Sequence, residues 1–429
     1  MASSQSNKGA LVYRLLIVVA IGLFAVAYVS PIWWVSLKAP QYPETAFPQG
    51  IKINFHMNGV FNGCQLIETA EKTESEALDC VHEMDAINHF VGMYPIASGG
   101  VVEKAYSQFL FAMLGVILIG FLITRPRFRV IVMAVGFLGI AGWMAVTMFT
   151  AGGIKYQNAG YLQALVTSLG QGEEEEGEEL SPIIAELKRK LGDAGQLSVS
   201  REELDSRLEA TGQSRLKDVL GSLHAGDGGK AKSLKDILAE AKESGADAKT
   251  VNIHILQQAF EADMARLPAD KRQEWTGSSA QVLIWHYEKS LGRWFKIEDK
   301  IRPLVAIMSV ATTVTFWGVV VLMGLLVFFS SRSRGLLYWL PPLVPVVVPA
   351  AFIVEYAAWL WWYGHRLSEM GAFTLKPFMP TVFGQGKVAQ FSTFSYPNYG
   401  FGLLAAAALL VLLAMALRRK ALREGDGEG

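Results

Sequence analysis

Residues 303–330 read PLVAIMSVATTVTFWGVVVLMGLLVFFS, a run without a single charged side chain. A helix rises about 1.5 Å per residue, so a run of this length can cross the roughly 30 Å hydrocarbon core of a bilayer. Five further runs are similarly apolar. The sequence therefore predicts an all-α integral membrane protein with six transmembrane helices, at residues 11–34, 108–124, 129–150, 303–330, 336–362 and 401–417.

The overall composition agrees with this class and excludes others. Hydrophobic residues make up 51% of the 429-residue chain, charged residues only 18%, and the formal net charge is zero. An ordinary soluble domain does not sustain several uninterrupted apolar runs of this length. A nucleic-acid-binding protein needs a basic excess, so no nucleic-acid partner is expected.

Basic residues predict the orientation of the six spans. They cluster around the start of the first span, after the second, after the fourth and after the sixth, at Lys8, Arg14, Arg125, Arg127, Arg129, Arg332, Arg334, Arg418, Arg419, Lys420 and Arg423. By the positive-inside rule both termini are cytoplasmic. The chain then divides into seven segments. They are the cytoplasmic start and first span at 1–34, an exported loop at 35–107, the second and third spans at 108–150, an exported helical insertion at 151–302, the fourth and fifth spans at 303–362, an exported loop at 363–400, and the sixth span with the cytoplasmic tail at 401–429. In a Gram-negative bacterium the membrane is the inner membrane and the loops are periplasmic.

Aromatic residues at the ends of the predicted spans are typical of membrane interfaces. They are Trp33 and Trp34 after the first span, and Tyr338, Trp339, Trp359, Trp361, Trp362 and Tyr363 around the fifth. We interpret them as interfacial anchors.

The insertion at 151–302 has helical patterns near residues 156–168, 253–267 and 278–296. Ser200 and Glu203 form a capping box at the start of a further amphipathic helix. The acidic run at 173–179 is typical of a solvated segment, since its carboxylates do not have the spacing of a calcium loop. The sequence leaves open whether 170–250 is ordered.

The first exported loop holds the only two cysteines, Cys64 and Cys80, and supports two interpretations. In an exported loop the pair predicts a disulfide, which would stabilise the fold by about 3 kcal/mol. Alternatively, Cys80, His82 and Met84 at alternate positions, with His89 and Met93 four residues apart, form a set of soft ligands. If 86–93 is helical, His89 and Met93 share a face. Thiolate, thioether and imidazole together favour copper, especially Cu(I).

The segment Asn88-His-Phe-Val-Gly-Met93 also carries a family resemblance. Together with Ser36-Leu-Lys-Ala-Pro-Gln-Tyr-Pro43, Lys376-Pro-Phe-Met-Pro380 and Ser395-Tyr-Pro397, it resembles the B-type membrane protein of Sec-dependent nitrous oxide reductase gene clusters. The resemblance covers both ends of the chain and omits roughly 155–300. It implies association with a periplasmic copper enzyme and its copper-maturation proteins. Only Asn88, His89, Gly92 and Met93 carry over as motif residues.

Glu355 is the one carboxylate inside a predicted span. An ionisable group there costs several kcal/mol unless it faces protein or water, so it marks a candidate quinol or proton site. The alternative is a structural hydrogen bond or snorkelling to the interface. Four prolines, Pro341, Pro342, Pro345 and Pro349, are expected to interrupt the hydrogen bonds earlier in this helix.

Three functions from different classes follow. The first is a non-enzymatic accessory membrane protein that supports nitrous oxide reductase in denitrification, by copper handling or docking through its exported loops. The second is a quinol-linked electron-transfer component for the same reductase, in which Glu355 accepts protons. The third is a structural scaffold whose disulfide and Asn-His-x-x-Gly-Met segment only shape the first loop. Membrane lipid is a partner in all three.

Overall fold

The computed structural model describes residues 2–65, 79–96, 100–178, 247–294, 297–332, 335–369, 371–372, 375–388 and 390–427. Its α-helices in these ranges are α1 (Ala2–Val29), α2 (Cys80–Phe90), α3 (Val101–Leu122), α4 (Pro126–Phe149), α5 (Ala159–Glu178), α6 (Ala248–Arg266), α7 (Ser279–Trp294), α8 (Glu298–Ser330), α9 (Leu336–His365) and α10 (Tyr399–Gly427).

Six of these helices are long and apolar enough to cross a membrane, which confirms the predicted number of candidate spans. They comprise Leu11–Val29, Val101–Leu122, Pro126–Phe149, Asp299–Ser330, Leu336–His365 and Tyr399–Arg423. Two bounds differ in a way that matters. The first helix ends at Val29 and not at residue 34, and α3 begins at Val101, so that Glu103 and Lys104 belong to a span.

The all-α prediction is wrong for the first and third loops, which together form an antiparallel sheet. The strands are β1 (Trp33–Lys38), β2 (Ile51–His56), β3 (Gly59–Asn62), β4 (Gly384–Val388) and β5 (Phe391–Pro397), in the order β3-β2-β1-β5-β4. β1 pairs with β5 in the register Trp33 to Pro397 and Lys38 to Ser392. Strands distant in sequence therefore join the end of α1 to the beginning of α10.

One face of the sheet packs on α2 and on α9. Alternate residues of β1 and β2 point to this face because strand side chains alternate with a period of two. The resulting core contains Trp33, Val35, Leu37, Ile51, Ile53, Val81, Met84, Ile87, Tyr356 and Leu360, among others. Burying these apolar side chains is what holds the sheet against the helices.

The interpretation of Trp33 as an interfacial anchor is also wrong. Its side chain is only 2% exposed and lies in the core beside the rings of Phe352, Tyr356 and Phe401. The indole N–H donates to Ser395 Oγ at 2.8 Å, and Ser395 Oγ donates to the Val382 carbonyl at 2.8 Å. Trp33, Tyr356 and Ser395 thus connect β1, α9 and β5.

Cys64 and Cys80 form a disulfide that connects the chain after β3 to the first residue of α2. Asp79 caps this helix, since its Oδ1 accepts hydrogen bonds from the amides of Val81 and His82 at 3.0 and 3.2 Å. An aspartate at this position satisfies amides that have no partner within the helix.

Two buried arginines connect the helix ends opposite the sheet. Arg418 of α10 donates to the Phe121 carbonyl at 2.7 Å, in the last turn of α3. Arg129 of α4 donates to the Ser330 carbonyl at 2.8 Å, at the end of α8. The last carbonyls of a helix receive no hydrogen bond from an amide of the same helix, and a positive charge is favourable near them. Each arginine therefore caps a neighbouring span.

The four prolines of α9 do not interrupt it, since the helix runs from Leu336 to His365 across all of them. Each proline removes one amide donor from the hydrogen-bond ladder. Pro341, Pro342 and Pro345 are buried. Neighbouring helices support such positions in membrane proteins.

The chain forms two compact units, one of Met1–Leu165 with Trp275–Gly429 and the other of Val166–Glu274. In the second unit, α6 is followed by a short 3₁₀ turn at Ala269–Lys271, and Arg272 donates to the Leu267 and Ala265 carbonyls. The helices predicted near 156–168, 253–267 and 278–296 correspond to α5, α6 and α7. The capping box at Ser200 and Glu203 and most of 170–250 lie outside the described residues.

Candidate functional site

A cavity of about 310 Å³ lies between α3 and α9, next to the β2–β3 hairpin. Most of its wall is apolar, formed by Phe55, Val60, Leu110, Phe111, Leu114, Val344, Val348 and Phe352, among others. Three wall residues, Glu103, Ala351 and Glu355, are also exposed at the outside of the protein. The cavity therefore lies beside two candidate spans, and three of its wall residues are accessible to the surroundings.

Its polar groups come from three elements. Glu355 belongs to α9, Glu103, Lys104 and Ser107 to the beginning of α3, and His56 to the end of β2. The carboxylates of Glu103 and Glu355 line the same cavity as the Lys104 ammonium. Such a cluster beside an apolar wall is typical of a small-molecule site, where a few polar groups orient a largely apolar ligand.

Gly100 lies next to three polar side chains at the rim of this cluster. The point where a Cβ on Gly100 would stand lies 3.7 Å from Glu103 Oε2, 3.7 Å from Trp359 Nε1 and 3.8 Å from Lys104 Cε. Gly100 has a φ of 64° and directly precedes α3. Its left-handed backbone turns the chain into the span, so that a carboxylate, an ammonium stem and an indole N–H donor meet at the rim.

Helix periodicity explains why these residues share one wall. In α9, Ala351, Glu355 and Trp359 are spaced by four residues, and such positions lie one above the other on a helix. Glu103 and Ser107 have the same spacing in α3.

The sequence indicated Glu355 but not Glu103 and Lys104. Because these two charged residues are adjacent, the predicted span began after them and they were assigned to the exported loop. The apolar pair Val101 and Val102 was the available signal that the helix begins earlier.

His56 adds an imidazole to the rim, and its charge depends on pH. Burial lowers the pKa of His56 below its ordinary value of 6.5, and a hydrogen bond with the Val29 backbone offsets only part of this shift. The other ionisable groups in the wall are Glu103, Lys104, Glu355 and the phenols of Tyr356 and Tyr363.

We predict that His56 makes the fold less stable in acid. Its lowered pKa means that the folded state binds fewer protons than the unfolded state, so stability is full above pH 6.5 and falls as the pH drops below it. One such group contributes a slope of at most about 1.4 kcal/mol per pH unit. Thermal unfolding in detergent between pH 7.5 and 5.5 measures it, and His56→Gln should flatten the curve. An equal decline in both proteins would contradict the assignment to His56.

The Asn-His-x-x-Gly-Met segment is the C-terminal cap of α2. The Gly92 amide donates to the His89 carbonyl at 2.9 Å, and the Met93 amide donates to the Asn88 carbonyl at 2.7 Å. This pair of bonds around a left-handed residue is a Schellman motif, and Gly92 has a φ of 81°. The Gly92 carbonyl then accepts from the Ser368 amide at 2.7 Å, which joins the first loop to the third.

We predict that Gly92→Ala destabilises the protein by about 3 kcal/mol. The added Cβ would stand 2.8 Å from the Ser368 carbonyl oxygen, in a backbone conformation that side chains avoid. Gly139→Ala in α4 is the matched control, because its Cβ would meet nothing within 4 Å. Unfolding midpoints in detergent should fall for Gly92→Ala only, and an unchanged midpoint would show that this junction does not stabilise the fold.

The predicted copper ligands lie in different local surroundings. Cys80 is in the disulfide, and Met84 is 3% exposed in the core under the sheet. The helix ends at Phe90, so His89 and Met93 do not share a helical face as predicted. His82 and His89 are seven residues apart in α2 and do share one. Among the described residues, no three His, Cys, Asp or Glu side chains are grouped to hold a metal ion.

Comparison with known proteins provides no further assignment: no family model, no curated protein and no solved structure matches the chain.

Proposed function

We propose that the protein is a membrane-embedded accessory protein that binds a quinol-class ligand in the cavity between α3 and α9. The observation that carries this proposal is an apolar cavity between two candidate spans whose polar rim holds Glu355, Glu103 and Lys104, with both carboxylate residues exposed. The proposal concerns binding, with Glu355 as the group that accepts a hydrogen bond or proton from the ligand.

The size and polarity of the cavity wall suit a ligand with an amphipathic ring. A volume of about 310 Å³ is at the lower end for ligand pockets, so it suits one ring headgroup with its tail leaving through the opening. Glu103 and Glu355 can accept hydrogen bonds from the hydroxyls of the quinol, and Lys104 can donate to a carbonyl of the quinone form. The apolar wall excludes water from these bonds, which strengthens them.

We also propose that the sheet end of the protein is exported and the opposite end cytoplasmic. Support comes from the basic residues, because Arg129 and Arg418 both stack on the ring of Tyr338 at 4.8 and 5.4 Å, at the helix ends opposite the sheet. Green fluorescent protein fused after residue 429 folds only in the cytoplasm, so a fluorescent fusion is expected and a dark one contradicts this orientation.

Filling the cavity tests the binding proposal. Ala351→Trp places an indole in the wall, whereas Ala358→Trp places the same indole on an exposed part of α9 outside the wall. The full chain in mild detergent is titrated with decylubiquinone and with decylubiquinol, followed by equilibrium dialysis. We expect saturable binding that Ala351→Trp weakens by roughly tenfold or more and that Ala358→Trp leaves unchanged.

Two further binding measurements, one with a variant and one with a different ligand, test which class of ligand the cavity binds. Glu355→Gln keeps the shape of the cavity and should weaken decylubiquinol binding more than decylubiquinone binding, since the quinol has the hydroxyls that donate to a carboxylate. A ring-free decyl alcohol should bind poorly. Equal binding of the alcohol, or equal loss in both tryptophan variants, would contradict a quinol site in this cavity.

A second function, copper handling for a periplasmic copper enzyme, has one observation in its favour. His82 and His89 lie on one face of α2, at the part of the loop that carries the family resemblance. Competition for Cu(I) by the anaerobically purified protein measures it. His82→Gln with His89→Gln should lower the affinity by roughly tenfold if these imidazoles are ligands. His254→Gln, an exposed histidine of α6, is the control, and wild-type affinity in the double variant would exclude this site.

A further inference from the structure

A second groove lies at the other end of the protein, between the beginning of α9 and the end of α10. It measures about 1150 Å³ and is open to the surroundings. Its wall includes Leu336, Trp339, Met415, Arg419, Lys420 and Arg423. The groove is separate from the cavity between α3 and α9, with which it shares no wall residue.

The cations of the groove differ in role from their neighbour Arg418. Arg418 is buried and caps α3, whereas Arg419 and Arg423 are exposed. They are four residues apart, so they lie on one face of α10. The acidic residues of the tail, such as Glu424 and Asp426, begin after Arg423. The wall itself therefore has three positive charges and no negative one.

The other part of the groove wall is apolar, and it indicates where the positive charges lie relative to a bilayer. Leu336 is 79% exposed and Trp339 lies one turn further along α9. The apolar part of α10 ends at Leu417, so the cations stand where the hydrocarbon of a bilayer gives way to headgroups. The first turn of α9 has no acidic residue, and its amides add partial positive charge.

We propose that this groove is a binding site for an anionic phospholipid, with the phosphate on Arg419, Lys420 and Arg423 and an acyl chain along Leu336 and Trp339. Basic pockets between membrane helices recognise lipid phosphates in this way. A free phosphate ion would use the same cations but would leave the apolar wall without a partner.

Native mass spectrometry of the full chain in detergent tests the proposal, with dioleoyl-phosphatidylglycerol and dioleoyl-phosphatidylcholine as probes. We expect one phosphatidylglycerol to be retained in preference to phosphatidylcholine. Arg419→Gln with Arg423→Gln should weaken phosphatidylglycerol binding by roughly tenfold or more. Arg125→Gln with Arg127→Gln removes two exposed cations at the same end of the protein outside the groove, and should change binding less than roughly twofold.

Three results would overturn the site. Equal loss in both double variants would mean diffuse attraction to the basic surface. Equal retention of the two lipids would mean that the phosphate charge of the headgroup is not recognised. Displacement of phosphatidylglycerol by inorganic phosphate at the same concentration would assign the groove to a free anion.

Discussion

Trp33→Ala is expected to lower the free energy of unfolding by about 4 kcal/mol, within the range for deleting a buried tryptophan. Trp33 is central to the core between the sheet and α9, with aromatic rings of Phe352, Tyr356 and Phe401 around it. Removing the indole leaves a space that the paired strands and the helix cannot close, because each is held in register by its own hydrogen bonds. Titration of the protein with sodium dodecyl sulfate measures this change.

Trp33→Phe separates the packing of the indole ring from the hydrogen bond that its N–H donates. Phenylalanine keeps an aromatic ring in the core but cannot donate to Ser395 Oγ, so a smaller loss of about 1–2 kcal/mol is expected. Trp34→Phe on the same strand is the control, since Trp34 is only partly buried beside Tyr396. If Trp33→Ala were as stable as wild type, the sheet would not depend on this core.

Arg418→Met is expected to cost about 3 kcal/mol, although it removes a buried charge. Methionine keeps an apolar stem of similar length but loses the hydrogen bonds to the Phe121 carbonyl and to Tyr13 Oη, at 2.7 and 3.1 Å. It also loses the stacking of the guanidinium on the rings of Tyr13, Phe121 and Tyr338. The Phe121 carbonyl would remain buried at a helix end without this donor, which is the main reason for the penalty.

The adjacent residue provides the control for this prediction. Arg419→Met removes the same charge one position further along α10, where the side chain is exposed. In detergent without anionic lipid its unfolding midpoint should match wild type. If both variants lost the same stability, the effect would come from net charge and not from capping of α3.

The sequence predicted some features of the candidate site and missed others for a definable reason. Glu355 stood out because it interrupts a long apolar run, and hydropathy detects such an exception directly. Glu103 and Lys104 did not, because two charges at the start of a span lower its hydropathy and move the predicted boundary into the span. The Schellman cap at Gly92 was readable in principle, since glycine often follows the last turn of a helix.

What the sequence determined by itself is the number of candidate spans, because each apolar run is a local property that needs no partner to identify it. Only the tertiary structure decided that β1 pairs with β5, across some 360 residues, and that Trp33 belongs to a core and not to an interface. Strand pairing and side-chain burial depend on which segments meet, and the pattern of a single segment does not contain that information. The cavity beside Glu355 has the same origin, since α3, α9 and the β2–β3 hairpin each supply one part of its wall.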